Sequence, residues 1–372
     1  MKNILLKKLK NDTILVISGL LAFISCFFVF PDSKYIDYIN FRVLAILFAL
    51  MLVVGALTRI GTFDYLTSKL LKRVRSERMI SLILTLLSFF LSMLLTNDVA
   101  LVTLVPFALL LLSAFNDRRR TVYTLILMTI AANLGSMLTP IGNPQNLYLY
   151  TEYEFSLKSF ILLTLPYSLT SLGLVVISVW ILNRTDHTVD TASGGDVERP
   201  APLKLMLYIA LFIVCLLTVA GILHYLIMLG VVAAVILAAD RRAYLKVDYS
   251  LLLTFVFFFI LIGNLGRIEA IRSTLTEIVE KNVALTAILS SQVISNVPAA
   301  MLLSAFTTNG NALVIGVNLG GLGTLIASMA SLITYKFYAK EKQKGEHYLL
   351  KFSAISVIYL LILYLLYLFV FR

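Results

Sequence analysis

Two short polar stretches interrupt otherwise apolar sequence, and their residue types suit the handling of an ion or a small solute. Thr96, Asn97 and Asp98 stand in the middle of residues 79–114, and Gly142, Asn143, Pro144, Gln145 and Asn146 lie in the stretch 133–150, which carries no charged residue. An unpaired backbone group in hydrocarbon costs several kcal/mol, so a chain opens a membrane helix only where the freed groups line a cavity or hold a ligand. Pro144 removes one helix donor and frees a carbonyl, while Gly142 lets the chain turn where a side chain would clash. The half-helix ends then present N–H groups to an anion and carbonyls to a cation. Asp98 is the one acidic residue inside these apolar segments, where a carboxylate must be paired, protonated or bound to a cation. It is a candidate proton carrier or sodium ligand. Thr96 and Asn97 also suit capping of a helix that starts near Val99, and capping leaves room for ligand contact.

The elements that position these residues are membrane helices. Hydrophobic residues make up 60% of the 372 and charged ones 14%, with a mean hydropathy of +0.94, which is more apolar surface than a soluble domain can bury. Nine full spans are expected, at about 13–30, 40–58, 121–150, 156–182, 203–221, 224–239, 248–266, 310–335 and 347–371, against the roughly 20 residues a helix needs to cross. Two further segments, 79–114 and 283–308, read as helical hairpins with tips at Thr96-Asn97-Asp98 and Ser295-Asn296. Pro298 behind the second tip fits a first helical turn. Cys26 and Cys215 both sit in apolar runs and build neither a disulfide framework nor a metal cluster. Four lysines before the first apolar run imitate a signal peptide, but no small-residue cleavage site follows Phe30, so the run is expected to stay as a first span.

Net charge is +11, and in a membrane protein this speaks first of topology rather than of nucleic acid. If both hairpins enter and leave on one side, 24 of the 31 lysines and arginines fall on one face: the N-terminal segment and residues 59–78, 118–120, 184–204, 241–246 and 336–351. Counting either hairpin as two full crossings flips every later loop and spoils this segregation. The basic face is therefore expected to be cytoplasmic, with the N-terminus inside, the C-terminus outside, and the protein multi-pass in the cell (inner or plasma) membrane.

The sequence also repeats itself. "NLGSMLTPIGNPQNLYLY" from Asn133 aligns without gaps to "NLGGLGTLIASMASLITY" from Asn318, with seven identities in 18 positions, among them Asn133/Asn318, Gly135/Gly320 and Thr139/Thr324. "TNDVA" at Thr96 pairs with "SNVPA" at Ser295, and "GALTRI" at Gly55 with "GNLGRI" at Gly263. By the crossing count the first copy enters its span at Arg42 from outside and the second at Asp248 from inside, so the copies are inverted. The expected fold is all-α and polytopic, with two inverted repeats that each hold a re-entrant hairpin and a discontinuous transmembrane helix. Residues 1–183 form the first repeat, with hairpin 79–114 and broken helix 121–150. Residues 184–204, with Ser193-Gly194-Gly195 and two prolines, form a cytoplasmic linker. Residues 205–372 form the second repeat, with hairpin 283–308 and broken helix 310–335. Such repeats, meeting at discontinuous helices near the midplane, are the architecture of secondary transporters.

The pattern Asn133, Gly135, Thr139, Gly142, Pro144 and Asn146, preceded by a hairpin with "TND", resembles the ion transporter superfamily. That group includes arsenite permeases, sodium/proton antiporters of the NhaD type, and citrate and dicarboxylate symporters. "SQVISNVPAAMLLSAF" and "GVNLGGLGTLIASMASLI" in the second half look most similar to the arsenite and anion permease branch. The resemblance implies a homodimeric carrier whose hairpins and broken helices hold solute and coupling ions. It carries Thr96, Asn97 and residues 142–146 to a first ion and substrate region, and Ser295, Asn296 and residues 320–324 to a second. Two departures stand out. The tips read Thr-Asn-Asp and Ser-Asn-Val where dicarboxylate carriers have Ser-Asn-Thr twice, and the second broken helix has Ala327-Ser328-Met329 in place of Pro-x-Asn. The second departure points to the first half as the place of an ion site.

The expected protein is an ion-coupled carrier of a small anion or an arsenite-like solute, and not an enzyme. Thr96, Asn97, Asn143, Gln145, Asn146, Ser295, Asn296 and Thr324 are the candidate substrate contacts. Asp98, with Gly142, Pro144, Asn133, Asn318 and Gly320, is assigned to the coupling ion. No cofactor is expected beyond Na⁺ or H⁺ as that ion, and the partners are the solute, the lipid bilayer and a second copy of the chain. No Gly-x-x-x-x-Gly-Lys sequence is present, so the energy comes from a gradient or from a separate ATPase partner. A sodium/proton antiporter, with Asp98 as the exchanged-ion site, is the alternative. An intramembrane enzyme is the reading from another class, and the chain lacks HExxH, GxSxG and paired membrane carboxylates for it. Weaker marks are Asn264 between two glycines, Gln292 before the second tip, the amphipathic stretch FDYLTSKLLKRV within residues 59–78, and Arg118–Arg120 as a loop anchor.

Overall fold

The computed structural model describes residues 13–71, 74, 76–113, 117–182, 198–340 and 347–370, and among these the chain is helical throughout, without a strand ladder. The N-terminal lysines and most of the linker expected at 184–204 lie outside the described residues. In chain order the helices are α1 (Thr13–Phe28), α2 (Lys34–Asp37), α3 (Phe41–Arg59), α4 (Thr62–Leu71), α5 (Glu77–Leu95), α6 (Asn97–Ser113), α7 (Arg118–Ser136), α8 (Pro144–Glu152) and α9 (Leu157–Leu182). They continue with α10 (Pro202–Val219), α11 (Tyr225–Asp240), a short 3₁₀ helix (Arg241–Lys246), α12 (Tyr249–Arg267) and α13 (Glu269–Lys281). The last five are α14 (Val283–Ile294), α15 (Asn296–Ser304), α16 (Gly310–Gly320), α17 (Met329–Lys340) and α18 (Tyr348–Val370).

Among the described residues six helices, α3, α5, α9, α10, α12 and α18, are long and apolar enough to cross a membrane. This differs from the nine expected spans in an informative way. α1 and α11 have 16 residues each, and the segments at 121–150 and 310–335 are split, into α7 with α8 and α16 with α17. α5, read as a hairpin arm, has 19 residues and matches the core thickness by itself, whereas its second-half counterpart α14 has 12. α4 accounts for the amphipathic stretch near residue 62.

The split helices sit at the centre. Every residue of α7 from Thr124 to Ser136 is buried, and so is α16 from Ala312 to Gly320. A helix wrapped on all sides has no polar face to show, which is why neither has a pronounced apolar stripe. The hairpins form around single residues. Thr96 joins α5 to α6 with φ 108°, and Ser295 joins α14 to α15 with φ 71°. The outer end of α5 is fixed to the helix that follows the hairpin, because Glu77 at the start of α5 pairs with Arg120 in the first turn of α7. Arg118–Arg120 was expected as a loop anchor; Arg120 is instead 4% exposed and Glu77 fully buried.

The frame around this centre is held by contacts at matched positions. Arg59 at the end of α3 pairs with Asp240 at 2.7 Å, and Arg267 at the end of α12 pairs with Asp32 at 2.9 Å. The block pairing of Gly55 with Gly263 carries Asp32 onto Asp240 and Arg59 onto Arg267, so the two ion pairs correspond. Asn40 caps α3 through the Val43 amide and its match Asp248 caps α12 through that of Leu251. Tyr38 packs on Gly263 and its match Lys246 on Gly55. Asn264 does not unwind α12; its amide bonds Ser25 Oγ at 2.9 Å and the Tyr35 hydroxyl at 2.8 Å, tying α12 to α1.

Contacts between distant segments respect the two faces of the charge count. Arg59 with Asp240, Arg78 over Trp180 and Lys351 over Tyr123 all join segments of the basic face. Asp32 with Arg267, and Tyr153 with the Thr307 carbonyl, join segments of the other.

Removing one partner of a buried ion pair strands the other charge, at roughly 3–5 kcal/mol. Arg120→Met is therefore expected to lower the apparent Tm of the detergent-purified protein sharply, and Glu77→Met added to it to restore most of the loss. Equal Tm for Arg120→Met and wild type would show that the pair bears no weight.

Candidate functional site

The two breaks are built alike at the backbone. α7 stops at Ser136, and α8 restarts at Pro144 behind Asn143, whose side chain accepts from the Asn146 amide at 2.8 Å. α16 stops at Gly320, and α17 restarts at Met329. Each hairpin tip docks onto the break of its own half: Asn97 N donates to the Gly142 carbonyl at 3.1 Å, and Asn296 N to the Ala327 carbonyl at 3.0 Å. The gapless pairing of Asn133 with Asn318 puts Gly142 opposite Ala327, so this is one bond made twice.

Side chains then cross between the halves, again in matched sets. Asn133 Oδ1 accepts from Ser328 Oγ at 2.9 Å, and Asn133 Nδ2 donates to Ser331 Oγ at 3.4 Å. Conversely Asn318 Oδ1 accepts from Asn143 Nδ2 at 3.1 Å, and Asn318 Nδ2 donates to Asn146 Oδ1 at 2.6 Å. Ser328 and Ser331 are the residues that the pairing sets opposite Asn143 and Asn146. The missing Pro-x-Asn in the second half is thus no loss of polar partners, because two hydroxyls stand where two amides stand in the first. Asn97 Nδ2 joins the network at Asn133 Oδ1, 2.9 Å away, and Asn143 Nδ2 reaches Ser136 Oγ at 3.1 Å. Deeper along the helices, the hydroxyl of Thr129 donates to that of Thr334 at 2.9 Å.

This bonding sorts the residues singled out from the sequence. Asn97, Asn133, Asn143, Asn146 and Asn318 are brought together, buried, and engaged with one another. Thr96 Oγ1 accepts from Val99 N at 3.4 Å as a cap, and Ser295 Oγ lies 3.4 Å from the Ala327 carbonyl. Gly142 has no room for a side chain, since a Cβ would overlap the Ser136 carbonyl, and Pro144 serves as the first residue of α8. Gly320 closes against Ser291.

Four candidates keep polar atoms free. Gln145 is 2% exposed, yet its side-chain amide makes no hydrogen bond among the described residues. The half-buried Asp98 has no bond or ion pair to its carboxylate there, Asn296 keeps its amide N–H groups, and the Thr324 hydroxyl is exposed. No lysine or arginine bonds into the cluster, and no group of three or more His, Cys, Asp or Glu exists among the described residues to hold a metal ion. The chemistry on offer is amide, hydroxyl, backbone and one carboxylate. An apolar crevice of about 590 Å³ between α3, α11 and α12, lined by Phe41, Phe48, Tyr225 and Leu252, shares no residue with it.

Sequence reasoning missed Ser136, Ser328 and Ser331, and left Gln292 as a weak mark. The signal for the two second-half serines was present in the gapless pairing. For Ser136 there was none, since a serine in an apolar helix ordinarily bonds its own backbone. Gln292 Nε2 donates to the carbonyls of Gly320 and Leu322, both at 2.9 Å. Tyr148 of α8 meets Ser304 of α15 at 2.7 Å, a tie between the halves with no motif to announce it.

Residues 4–311 match the sequence profile of the citrate transporter family, CitMHS. The chain is 34% identical over 326 residues to an uncharacterized transporter of Methanocaldococcus jannaschii, covering 87% of this chain and 88% of that protein. It is 32% identical over 337 residues to the inner membrane protein YbiR of Escherichia coli, covering 89% of each. A shorter match, 35% over 143 residues, links 38% of this chain to 29% of the silicon efflux transporter LSI3 of Oryza sativa subsp. japonica.

Gly142→Ala must push the first break off the Ser136 carbonyl, and overpacking of this kind costs about 1–3 kcal/mol. It is expected to reduce transport strongly, while Gly173→Ala, where a Cβ meets nothing within 4 Å, leaves it unchanged. Uptake at matched membrane expression decides it, and equal uptake by the two variants would show that the break tolerates a different shape.

Proposed function

The chain belongs to the citrate transporter family and is a multi-pass membrane transporter, and from that premise we propose that it is an ion-coupled secondary carrier that moves a small anion or a neutral hydroxylated solute by alternating access. The observation that carries this is the exchange of matched bonds, Asn133 with Ser328 and Ser331 against Asn318 with Asn143 and Asn146. Such an exchange supports two inverted copies that meet at their broken helices, the arrangement in which one site is exposed to each side in turn. Ion pairs at matched ends of α3 and α12, and contacts that keep to one face each, support hairpins that enter and leave on the same side.

In this reading the engaged amides hold the breaks open and the free groups meet the cargo. Gln145, Asn296 and Thr324 contact the solute, helped by backbone at the tips, while Asp98 carries the coupling ion. A site without a cation suits an uncharged polyhydroxy solute, or an anion that travels with its coupling cation, since an isolated charge is costly to desolvate. The family's name speaks for citrate. The relative named for silicon efflux speaks for the uncharged class, because dissolved silicon at neutral pH is a neutral hydroxide. The inner membrane relative supports a cell-membrane location; the excess of lysine and arginine supports a cytoplasmic basic face, and the carrier is read as a dimer. A sodium/proton antiporter is the second reading, favoured by the carboxylate of Asp98, which has no partner among the described residues.

Reconstituted vesicles under an imposed proton or sodium gradient, challenged with citrate, succinate, phosphate, sulfate, arsenite and silicic acid, test the proposal. Net flux is expected with one pairing of solute and gradient. Asp98→Asn is expected to abolish gradient-driven flux while the protein still inserts, and flux at the wild-type rate would remove Asp98 from the coupling role. A pH change on sodium pulses with no solute flux would decide for the antiporter.

A further inference from the structure

The second break differs from the first in what stiffens it. Its chain, Gly320-Gly321-Leu322-Gly323-Thr324, has three glycines, and Gly323 takes φ 104°; the matched residues, Gly135-Ser136-Met137-Leu138-Thr139, have one. Glycine-rich backbone has the most freedom to lose, so this loop needs an outside restraint. In the first half the restraint comes from behind the break: Asn146 Nδ2 spans the carbonyls of Ser136, Met137 and Thr139 at 3.3, 3.2 and 3.2 Å. The residue matched to Asn146 is Ser331, whose hydroxyl is too short for this and accepts from Asn133 instead.

A different side chain holds this loop, and it shares one matched carbonyl with Asn146. Gln292, from α14, donates through Nε2 to Gly320 and Leu322, and its Oε1 accepts from Thr324 N at 3.0 Å. Leu322 is the match of Met137, so one backbone carbonyl is held by an amide in each half. The residue matched to Gln292 is Met93, which gives only its backbone carbonyl, to Thr139 Oγ1 at 2.5 Å. The halves have exchanged a brace: methionine on the hairpin goes with asparagine behind the break, and glutamine on the hairpin goes with serine behind it. Gln292 also packs against Gly323, where a Cβ would strike its Oε1.

We propose that Gln292 is the positioning residue of the second break, fixing the glycine-rich loop as Asn146 fixes the first and making hairpin α14/α15 and that loop a single body. Its consequence is an asymmetry within the carrier. The second hairpin cannot part from its loop without breaking three side-chain bonds, whereas the first is tied through its backbone, Thr139 and the Asn97 amide. Thr324, whose N–H is held by Gln292, and Asn296 stay in register as one half of the solute contact. That consequence rests on the carrier reading above, but the brace can be tested without any solute.

Hydrogen–deuterium exchange of the full-length protein in detergent reads it directly. Gln292→Met is expected to speed exchange across residues 318–327 about tenfold, as loss of the bonds that close a loop implies, and to leave 133–142 unchanged. Adding Ser331→Asn installs the first half's solution and is expected to bring the rate back. The mirror pair behaves alike: Asn146→Ser speeds exchange in 133–142, and Met93→Gln added to it restores the slow rate. Wild-type exchange in Gln292→Met, or failure of both second substitutions to slow the loops in protein that elutes as wild type, overturns the assignment. Uptake of the solute found in vesicles keeps the readings apart. A raised KM with unchanged Vmax in Gln292→Met supports the positioning role, and faster exchange with unchanged uptake leaves the brace standing and counts against the loop as a solute contact.

Discussion

Two helices break in the interior of this molecule, and each break exposes donors and acceptors that hydrocarbon cannot satisfy. The rest of the structure follows from how those groups are paired. Backbone at each break is met within its own half, by Asn146 in the first and Gln292 in the second, and the side chains at the breaks then bond across, Asn133 with Ser328 and Ser331 and Asn318 with Asn143 and Asn146. In low dielectric such bonds gain strength and their absence costs more, which makes the crossing network a strong constraint on how the halves meet. The hairpin tips are drawn in by the same need, through the backbone bonds of Asn97 to Gly142 and Asn296 to Ala327.

Around this centre the frame is held by charge where water can reach it. The Arg59–Asp240 and Arg267–Asp32 pairs stand at corresponding ends of α3 and α12, partly exposed, so each contributes modestly to stability while fixing register. Glu77 with Arg120 is of another kind, buried and, among the described residues, without a second-half equivalent, at the base of a hairpin whose leading helix has seven more residues than its counterpart. The longer first hairpin is therefore pinned at its base, whereas the shorter second one is pinned near its tip by Gln292.

Satisfying the breaks and binding a cargo are different tasks, and the polar residues divide between them. An amide that bonds two neighbours has little left to offer a solute; Gln145, buried and without a bond among the described residues, gave up its water on folding and gains a partner only when something arrives. This division separates a rigid polar scaffold from a small set of free groups, and preorganisation of that sort spares the ordering cost of binding.

Much of this was legible in the chain itself. Hydropathy marked the membrane class, and the repeated blocks located both breaks and both tips, because each depends on local composition or on similarity along the chain. Whether a polar residue braces or binds was not legible, since that turns on which partner lies within 3 Å. Asn143 and Gln145 read alike in sequence, and only the packed halves make one a bonded strut and the other a free amide. Ser328 and Ser331 looked like the loss of a motif for the same reason. The burial of Arg120, and the hold of Gln292 on a loop some thirty residues away, were likewise decided by tertiary structure. Local sequence sets where a helix must stop, and the identity of the group that satisfies it is a property of the chain folded back on itself.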